Sequence, residues 1–591
     1  MRGCYDGTIE KQSATPWVMQ ERVLALLAVA VIFATCCARL GRLPLLAPDE
    51  GRNAEVGREM SASGAWLVPT YNGVDYLDKP AFYFKAVGLS LALFGNNETA
   101  ARLPSALFGA ALVALVYISC RRVHGARCGL LAAIIVATMP LFLTYARTVI
   151  FDIALAFFVC GAIFAGYLAE ESEGRSQRNW HMLGAACAGL ATLVKGPVGF
   201  LIPALVLLVF YRVERRQGAW KRLLAPLNLL VFLGVTLPWF VGLCLAHRDF
   251  LHYGLVEESF NRFTTAKKFH RSEPFYFYLL IVASMFLPWS FLLPEATVAT
   301  LKRRWAKHPA DRLCLVWCVV VVVFFSISQS KLPQYILTVA VACGILLARL
   351  FEAALANKDS YTARLVRRGT VAFAIVCFVT ALVVVVGGTE ARALAKPLHM
   401  SPEDAEPLGR AALPLAVAGA GFGIFGLVAL ARRSSTLCFL SFALFLPVCG
   451  STSFGVLKVI FDAKSGRSVA ERMPPLPAET ELACLECFPN GLPFYLRRTA
   501  TLISRNGAEL TSNYIIATLE KSSEWPNQIV PLSHFEAWLG NRRKPVYLIV
   551  RKNGLHKLQD LAASRGTTVQ QLAPELWGAP LPPPSPLTRV E

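Results

Sequence analysis

Charge is scarce in this chain, and acidic charge is scarcer. Only 17% of the 591 residues are Asp, Glu, Lys or Arg, and 39 carboxylates face 59 cations. So little charge excludes an ordinary soluble globule. Nucleotide and metallohydrolase signatures are absent as well: there is no G-x-x-x-x-G-K-[ST] loop, no G-x-G-x-x-G after a strand and no H-E-x-x-H. Whatever chemistry occurs does not draw on a nucleotide held in one of those folds. A second C-x-x-C is also missing. Cys484 and Cys487 stand alone without nearby histidines, which argues against zinc and leaves a local disulfide open. No internal repeat is visible. Residues 23–38 are apolar after Arg22, but no small-x-small cleavage site follows, so the segment reads as an uncleaved first span and not as a signal peptide.

What is abundant is apolar: 55% of the chain is hydrophobic, the composition of a polytopic α-helical membrane protein. Candidate spans run over residues 22–39, 100–119, 128–146, 149–169, 181–194, 197–211, 224–245, 275–293, 312–329, 333–351, 370–387, 411–431 and 436–459, about thirteen in all. Several fall short of the roughly 20 residues that a full crossing wants. Most of the cysteines lie inside these segments (Cys160, Cys187, Cys318 and Cys343 among them), where they act as small hydrophobes. Arg121, Arg122 and Arg127, then Arg175 and Arg178, then Arg212, Arg215 and Arg216 all fall in alternate loops. Lys302 to Arg304, Arg364, Arg367 and Arg368, and finally Arg432 and Arg433 continue the series. That side is expected to be cytoplasmic, with the N-terminus. The net charge of +20 is thereby explained without a nucleic-acid partner.

The polar residues that topology does not explain fall on the opposite side. Residues 48–85 read PDEGRNAEVGREMSASGAWLVPTYNGVDYLDKPAFYFK. Pro48 suits a helix start and Gly64 its end, and between them Asp49, Arg52, Asn53, Val56 and Met60 share one face. Asp49 then lies in the first turn, where the helix dipole favours its ionised form. An extended piece with Trp66, Pro69, Tyr71 and Tyr76 follows, and a second helix starts at Asp78-Lys79-Pro80. An interfacial helix with solvated charges is the alternative reading.

Asp152 is a lone carboxylate near the start of an apolar span, a functional candidate by default, with a snorkelling or Arg147-paired structural role as the alternative. Loop 246–274 interleaves aromatics with His252, Glu257, Glu258, Asn261, Arg262, Lys267, Lys268, His270 and Arg271, as suits the headgroup level. Lys331 and Tyr335 stand four apart at the mouth of the tenth span, 333–351. Residues 1–460 are expected to form a membrane domain with an external loop at 40–99. Residues 461–591 read as a small external α/β domain, with strands at Tyr514–Leu519 and Val546–Arg551, a helix near 556–564 and a flexible tail through Pro580–Pro586.

The 48–85 stretch resembles the first external loop of the polyprenyl-phosphate-dependent glycosyltransferases, in particular the ArnT-like family, which is related to the protein O-mannosyltransferases. The resemblance continues through RTVIFD, LVKGP, ESFNRF, PFYFY, SKLPQYIL and GLPFYLRR. It departs at Asp78-Lys79-Pro80, where close relatives usually carry Glu-Lys-Pro. It implies a GT-C fold of transmembrane helices and inverting transfer from an undecaprenyl-phosphate sugar. The site would face the periplasm, across a bacterial inner membrane. The acceptor would be lipid A, as in aminoarabinose transfer, or another extracytoplasmic molecule.

Breaking a glycosyl–phosphate bond builds negative charge on the phosphate, and Lys79, Arg52, Arg262 and Lys331 are the cations to meet it. Asp49 is the expected catalytic carboxylate, followed by Asp152 and Glu50. Tyr76, Tyr335 and Asn261 are expected to touch substrate. Asp78 and His270 are candidate ligands for a divalent metal, although no cofactor is expected to be required. A protein O-mannosyltransferase-like enzyme is one rival. A transporter is another, but transporters gather ionisable groups at the membrane midplane, in repeated halves.

Overall fold

The computed structural model describes residues 37–254, 257–258, 273–302, 308–387, 402–522 and 524–583. Eight described helices are long and apolar enough to cross a membrane, or ten spans if each of two bent pairs counts as one. These account for ten of the thirteen expected spans. The span at 22–39 lies almost wholly outside the described residues. Segments 181–194 and 197–211 form the helices Gly174–Lys195 and Val198–Val213; the second is short and the first opens on a polar stretch.

The bends have local causes. Helix Ala126–Ala137 turns by 72° into Pro140–Ala146. Met139, ahead of Pro140, is extended, as the residue before a proline prefers. A second bend, of 109°, separates Phe277–Met285 from Trp289–Lys302 and contains Pro288. Helices Asp152–Glu170 and Pro333–Ala356 are each 83% buried along their apolar windows, whereas Pro226–Ala246 is only 17% buried. The first two form the centre of the bundle, and the third presents its leucines outward, as a lipid-facing helix must.

Helix Asp49–Ser63 follows the sequence signals. Pro48 caps it, and Gly64 closes it at φ 70°, donating its N–H to Met60 O at 3.1 Å. The extended piece becomes a hairpin, β1 (Thr70–Tyr71) and β2 (Val74–Asp75), turning at Asn72-Gly73. Both turn residues have positive φ, the requirement of a tight right-twisted hairpin. Glu59 holds the turn: Oε2 accepts from Thr70 Oγ1 at 2.6 Å and from Gly73 N at 3.1 Å. Helix Phe82–Phe94 follows from the Asp78-Lys79-Pro80 start.

The last part of the chain carries a six-stranded sheet. Its strands are β3 (Glu481–Leu485), β4 (Thr501–Ser504), β5 (Ile529–Pro531), β6 (Val546–Arg551), β7 (Gln570–Ala573) and β8 (Leu576–Leu581), in the order β5-β4-β3-β6-β8-β7. Strands β3, β4, β5 and β6 are parallel, and β7–β8 is an antiparallel hairpin at one edge. Two expectations are corrected here. Tyr514–Leu519 is not a strand but lies within helix Asn513–Lys521. Ser512 caps that helix by accepting from Ile515 N, and Ile515 and Leu519, four apart, bury one face. Pro580 belongs to β8, paired with Tyr547, and not to a loose tail; β7 ends short of it, so a proline there interrupts no pairing on the β7 side. Residues 584–591 lie outside the described residues. The helix at Leu555–Ser564 and strand β6 stand where the sequence placed them. Cys484 and Cys487 are buried free thiols, and Cys487 Sγ donates to Ile549 O at 3.4 Å.

The loop that follows β3 packs directly on helix Asp49–Ser63. A Cβ on Gly51 would stand 2.6 Å from Asn490 O and 2.7 Å from Gly491 Cα, so only glycine permits this backbone-to-backbone approach. Around it, Tyr71 OH donates to Asn490 Oδ1 at 2.6 Å. Asn72 exchanges two hydrogen bonds with the Ala500 backbone, at 2.7 and 2.8 Å.

Candidate active site

Two groups of charged residues gather where helix Asp49–Ser63 meets the bundle and the sheet. The first surrounds Arg52. Its Nη2 donates to Asp49 Oδ1 at 2.5 Å, and its Nη1 donates to Thr511 O and Oγ1 at 3.0 and 2.7 Å. The guanidinium also lies 5.7 Å from the centre of the buried Tyr76 ring. Burial pulls the Arg52 pKa down, but Tyr76, Asp49 and Asp78 outweigh it and hold it above its ordinary value. The cation is therefore permanent. Its Nε is buried and has no acceptor among the described residues. Asp49 differs from its partner in exposure: its side chain is 51% accessible against 10% for Arg52.

Lys79 forms an ion pair with Glu258 and donates to Asp78 O at 2.7 Å. Asp78 faces the other way. Its Oδ1 accepts from Tyr253 OH at 2.6 Å and from Tyr514 N at 2.9 Å. Asn513 Nδ2 reaches Glu258 Oε2 at 3.4 Å. Among the described residues no three His, Cys, Asp or Glu side chains converge as metal ligands. His270, the second expected ligand, lies outside the described residues, as do Asn261 and Arg262.

The second group is built at helix ends. Asp152 opens helix Asp152–Glu170 and is 2% exposed; Lys195 closes helix Gly174–Lys195, and the two form an ion pair. A carboxylate at a helix N-terminus and an ammonium at a C-terminus are each favoured by the backbone dipoles. Lys195 Nζ also lies 4.6 Å from the Tyr335 ring centre and 5.4 Å from that of Phe151. Arg147, the partner weighed from sequence, donates to Ala38 O at 2.6 Å. The bend before Pro140 brings Tyr145 alongside, where its hydroxyl donates to Gln334 Oε1 at 2.8 Å. Lys331 is buried and donates to Glu273 O at 3.0 Å.

Glu50 occupies a different position from the one expected of a catalytic group. Its Oε1 accepts from Arg102 Nε at 2.8 Å and Val149 N at 2.9 Å; its Oε2 accepts from Arg102 Nη2 at 2.8 Å and Leu46 N at 2.9 Å. With four donors on two buried oxygens, it anchors the loop to helix Glu98–His124 and has no capacity left for substrate. The sequence reading also missed Lys195 as a partner of Asp152, and Tyr145, Gln334 and Thr511 altogether. LVKGP already marks Lys195 as a cation beside a helix-ending glycine. Nothing local marks the others.

A family described as dolichyl-phosphate-mannose-protein mannosyltransferase matches residues 78–241. The undecaprenyl phosphate-alpha-4-amino-4-deoxy-L-arabinose arabinosyl transferase 1 of Sodalis glossinidius is 35% identical over 332 residues, 55% of this chain and 58% of that protein. The corresponding protein of Pseudomonas paraeruginosa is 32% identical over 54% of this chain and 57% of its own length. The chain thus spans less than three fifths of the curated relatives it matches. The structural match is more extensive. The crystal structure of ArnT from Cupriavidus metallidurans bound to undecaprenyl phosphate covers 97% of this chain and 100% of its own, with TM-score 0.78 and 26% identity. The apo state of the same protein gives 0.76 and 27% over the same shares. This chain is a multi-pass membrane protein with the GT-C fold, and over nearly its whole length it resembles the ArnT-like polyprenyl-phosphate-dependent glycosyltransferases.

Proposed function

We propose that this chain is an inverting glycosyltransferase. It moves a sugar from an undecaprenyl-phosphate carrier to lipid A or another extracytoplasmic acceptor, at the periplasmic face of a bacterial inner membrane. One observation carries the reading: the match in fold, over 97% of this chain, to an ArnT bound to undecaprenyl phosphate. The site chemistry supports it. A polyprenyl donor is confined to the bilayer, so its phosphate lies at the interface. Arg52, Lys79 and Lys331 are the cations that stabilise the charge growing on the departing phosphate, and the buried Arg52 Nε meets no acceptor among the described residues.

Asp49, half exposed beside Arg52, takes the proton of an acceptor hydroxyl as that oxygen attacks the anomeric carbon. If the acceptor is a lipid phosphate, it is already ionised, and Asp49 then stabilises positive charge at the anomeric centre. Asp152, neutralised by Lys195, is the second carboxylate, and Tyr335 and Tyr76 line the approach. No metal takes part in this reading. The nearest candidate ligand, Asp78, spends its Oδ1 on Tyr253 and Tyr514.

The match of residues 78–241 to protein mannosyltransferases favours one second reading, transfer to a protein. Mass spectrometry of lipid A and of periplasmic glycoproteins, with and without the gene, separates the two. Loss of an amino-sugar substituent from lipid A is expected. Unchanged lipid A with altered glycoproteins selects the second reading, and no change in either sinks both.

A further inference from the structure

The Arg52 guanidinium owes its orientation to the far end of the chain. Two of its hydrogen bonds go to one residue, Thr511, through the backbone oxygen at 3.0 Å and the hydroxyl at 2.7 Å. Thr511 is β-branched yet sits at φ 54°, ψ 34°, the left-handed region that such a side chain resists. Glycine or asparagine would meet the demands of the turn at lower cost, but glycine would supply no hydroxyl for Arg52. The strained residue continues into a segment that holds the neighbouring charges. Ser512 caps the next helix, Asn513 reaches Glu258, which is the partner of Lys79, and the Tyr514 N–H lands on Asp78.

We propose that Thr511 is a positioning residue for donor binding: it fixes the Arg52 fork so that Nε points at the phosphate, and residues 511–514 make the sheet-bearing part a structural component of the active site. The inference rests on Arg52 being a donor-phosphate cation. The geometry accounts for the strain, because this backbone conformation turns both the carbonyl and the hydroxyl of one residue toward the same guanidinium nitrogen. The Gly51–Gly491 approach fixes the distance across which they meet.

The test uses the full chain in proteoliposomes with Thr511→Val, Thr511→Ser and Thr511→Gly, each also made in an Arg52→Lys background. Transfer kinetics, undecaprenyl phosphate binding and thermal midpoint are measured for each. Valine keeps the shape and loses the acceptor, so kcat/KM should fall about 10- to 100-fold, the size of one charge-assisted hydrogen bond. Serine should stay within about twofold, because it keeps that bond. Glycine should lose activity without losing thermal stability, because it relieves the strain while removing the hydroxyl; a merely structural role would lower both. In the Arg52→Lys background the valine effect should vanish. An equal valine effect in both backgrounds, or wild-type activity in Thr511→Val, overturns the inference. If Thr511→Val does not fold, the serine and glycine variants carry the same comparison. A wild-type chain that neither transfers nor binds undecaprenyl phosphate overturns the underlying reading as well.

Discussion

The Lys195 ammonium closes onto the Asp152 carboxylate from 43 positions along the chain, joining the end of one helix to the start of its buried neighbour. Both side chains are nearly inaccessible, at 11% and 2%. Removing one member of such a pair strands the other charge, which costs about 3–5 kcal/mol. Lys195→Ala should therefore lower the thermal midpoint sharply, and adding Asp152→Asn should restore much of it. A double-mutant cycle on the purified protein measures this. Additive losses would show that the two residues act independently.

Asp49 is not stranded in this way, because half of its surface is open. Asp49→Asn should leave the midpoint and undecaprenyl phosphate binding close to wild type while turnover falls about 10²- to 10⁴-fold, the usual worth of a general base. Single-turnover assays in vesicles give the number. Near-normal turnover would assign Asp49 to the support of Arg52, unless the acceptor is a phosphate.

In the proposed function Lys79 offers a point charge to phosphate, and Glu258 pairs with it. Lys79→Ala should weaken undecaprenyl phosphate affinity by about 10- to 100-fold, equivalent to roughly 1.5–3 kcal/mol. Titration calorimetry in detergent reads this directly. Unaltered affinity would leave Lys79 as a tether for the 257–258 segment.

Glu55 makes stability depend on pH. It is fully buried against Arg58, with Nε and Nη2 each 2.6 Å from a carboxylate oxygen, yet burial outweighs that partner and pushes its pKa up to about 8. The folded state therefore binds a proton that the unfolded chain has released above the ordinary carboxylate range. Stability from this group is complete below that range and declines as pH rises toward 8, by at most about 1.4 kcal/mol per pH unit. Glu55→Gln should flatten the decline. Thermal midpoints taken between pH 5 and pH 9 (roughly the window in which this proton is lost) test the sign. A wild-type midpoint that rises across the window would contradict it.

Stripping divalent metal should leave transfer intact. Activity before and after chelation, with metal analysis on the same sample, decides the matter. Loss on stripping and recovery with stoichiometric zinc would make Asp78 and His270 the first residues to mutate.

Local chemistry made part of this legible in advance. Pro48 and Gly64 bound their helix because proline and glycine act through their own backbones. Asp152 stood out because a carboxylate in an apolar run is costly wherever it lies. Its partner did not, since the pairing depends on how two helices pack. Residues 514–519 misled for a related reason. Tyr-Ile-Ile-Ala-Thr-Leu has the composition of a strand, but the Ser512 cap and the buried Ile515–Leu519 stripe make it helical. Glu50 and Asp49 are adjacent and look equivalent in sequence; only the reach of Arg102 separates the anchored one from the open one. Thr511 was beyond reading, because its meaning lies in a contact 459 positions away.

That separation also governs when the protein becomes competent. A ribosome can finish every span and deliver helix Asp49–Ser63 to its place, and Arg52 will still lack the acceptors on Thr511. Translation must run past strand β4 before the guanidinium is fixed. On the proposed function, the order of synthesis would act as a safeguard: a nascent or prematurely terminated chain would hold its donor cation unfixed and leave the donor unconsumed.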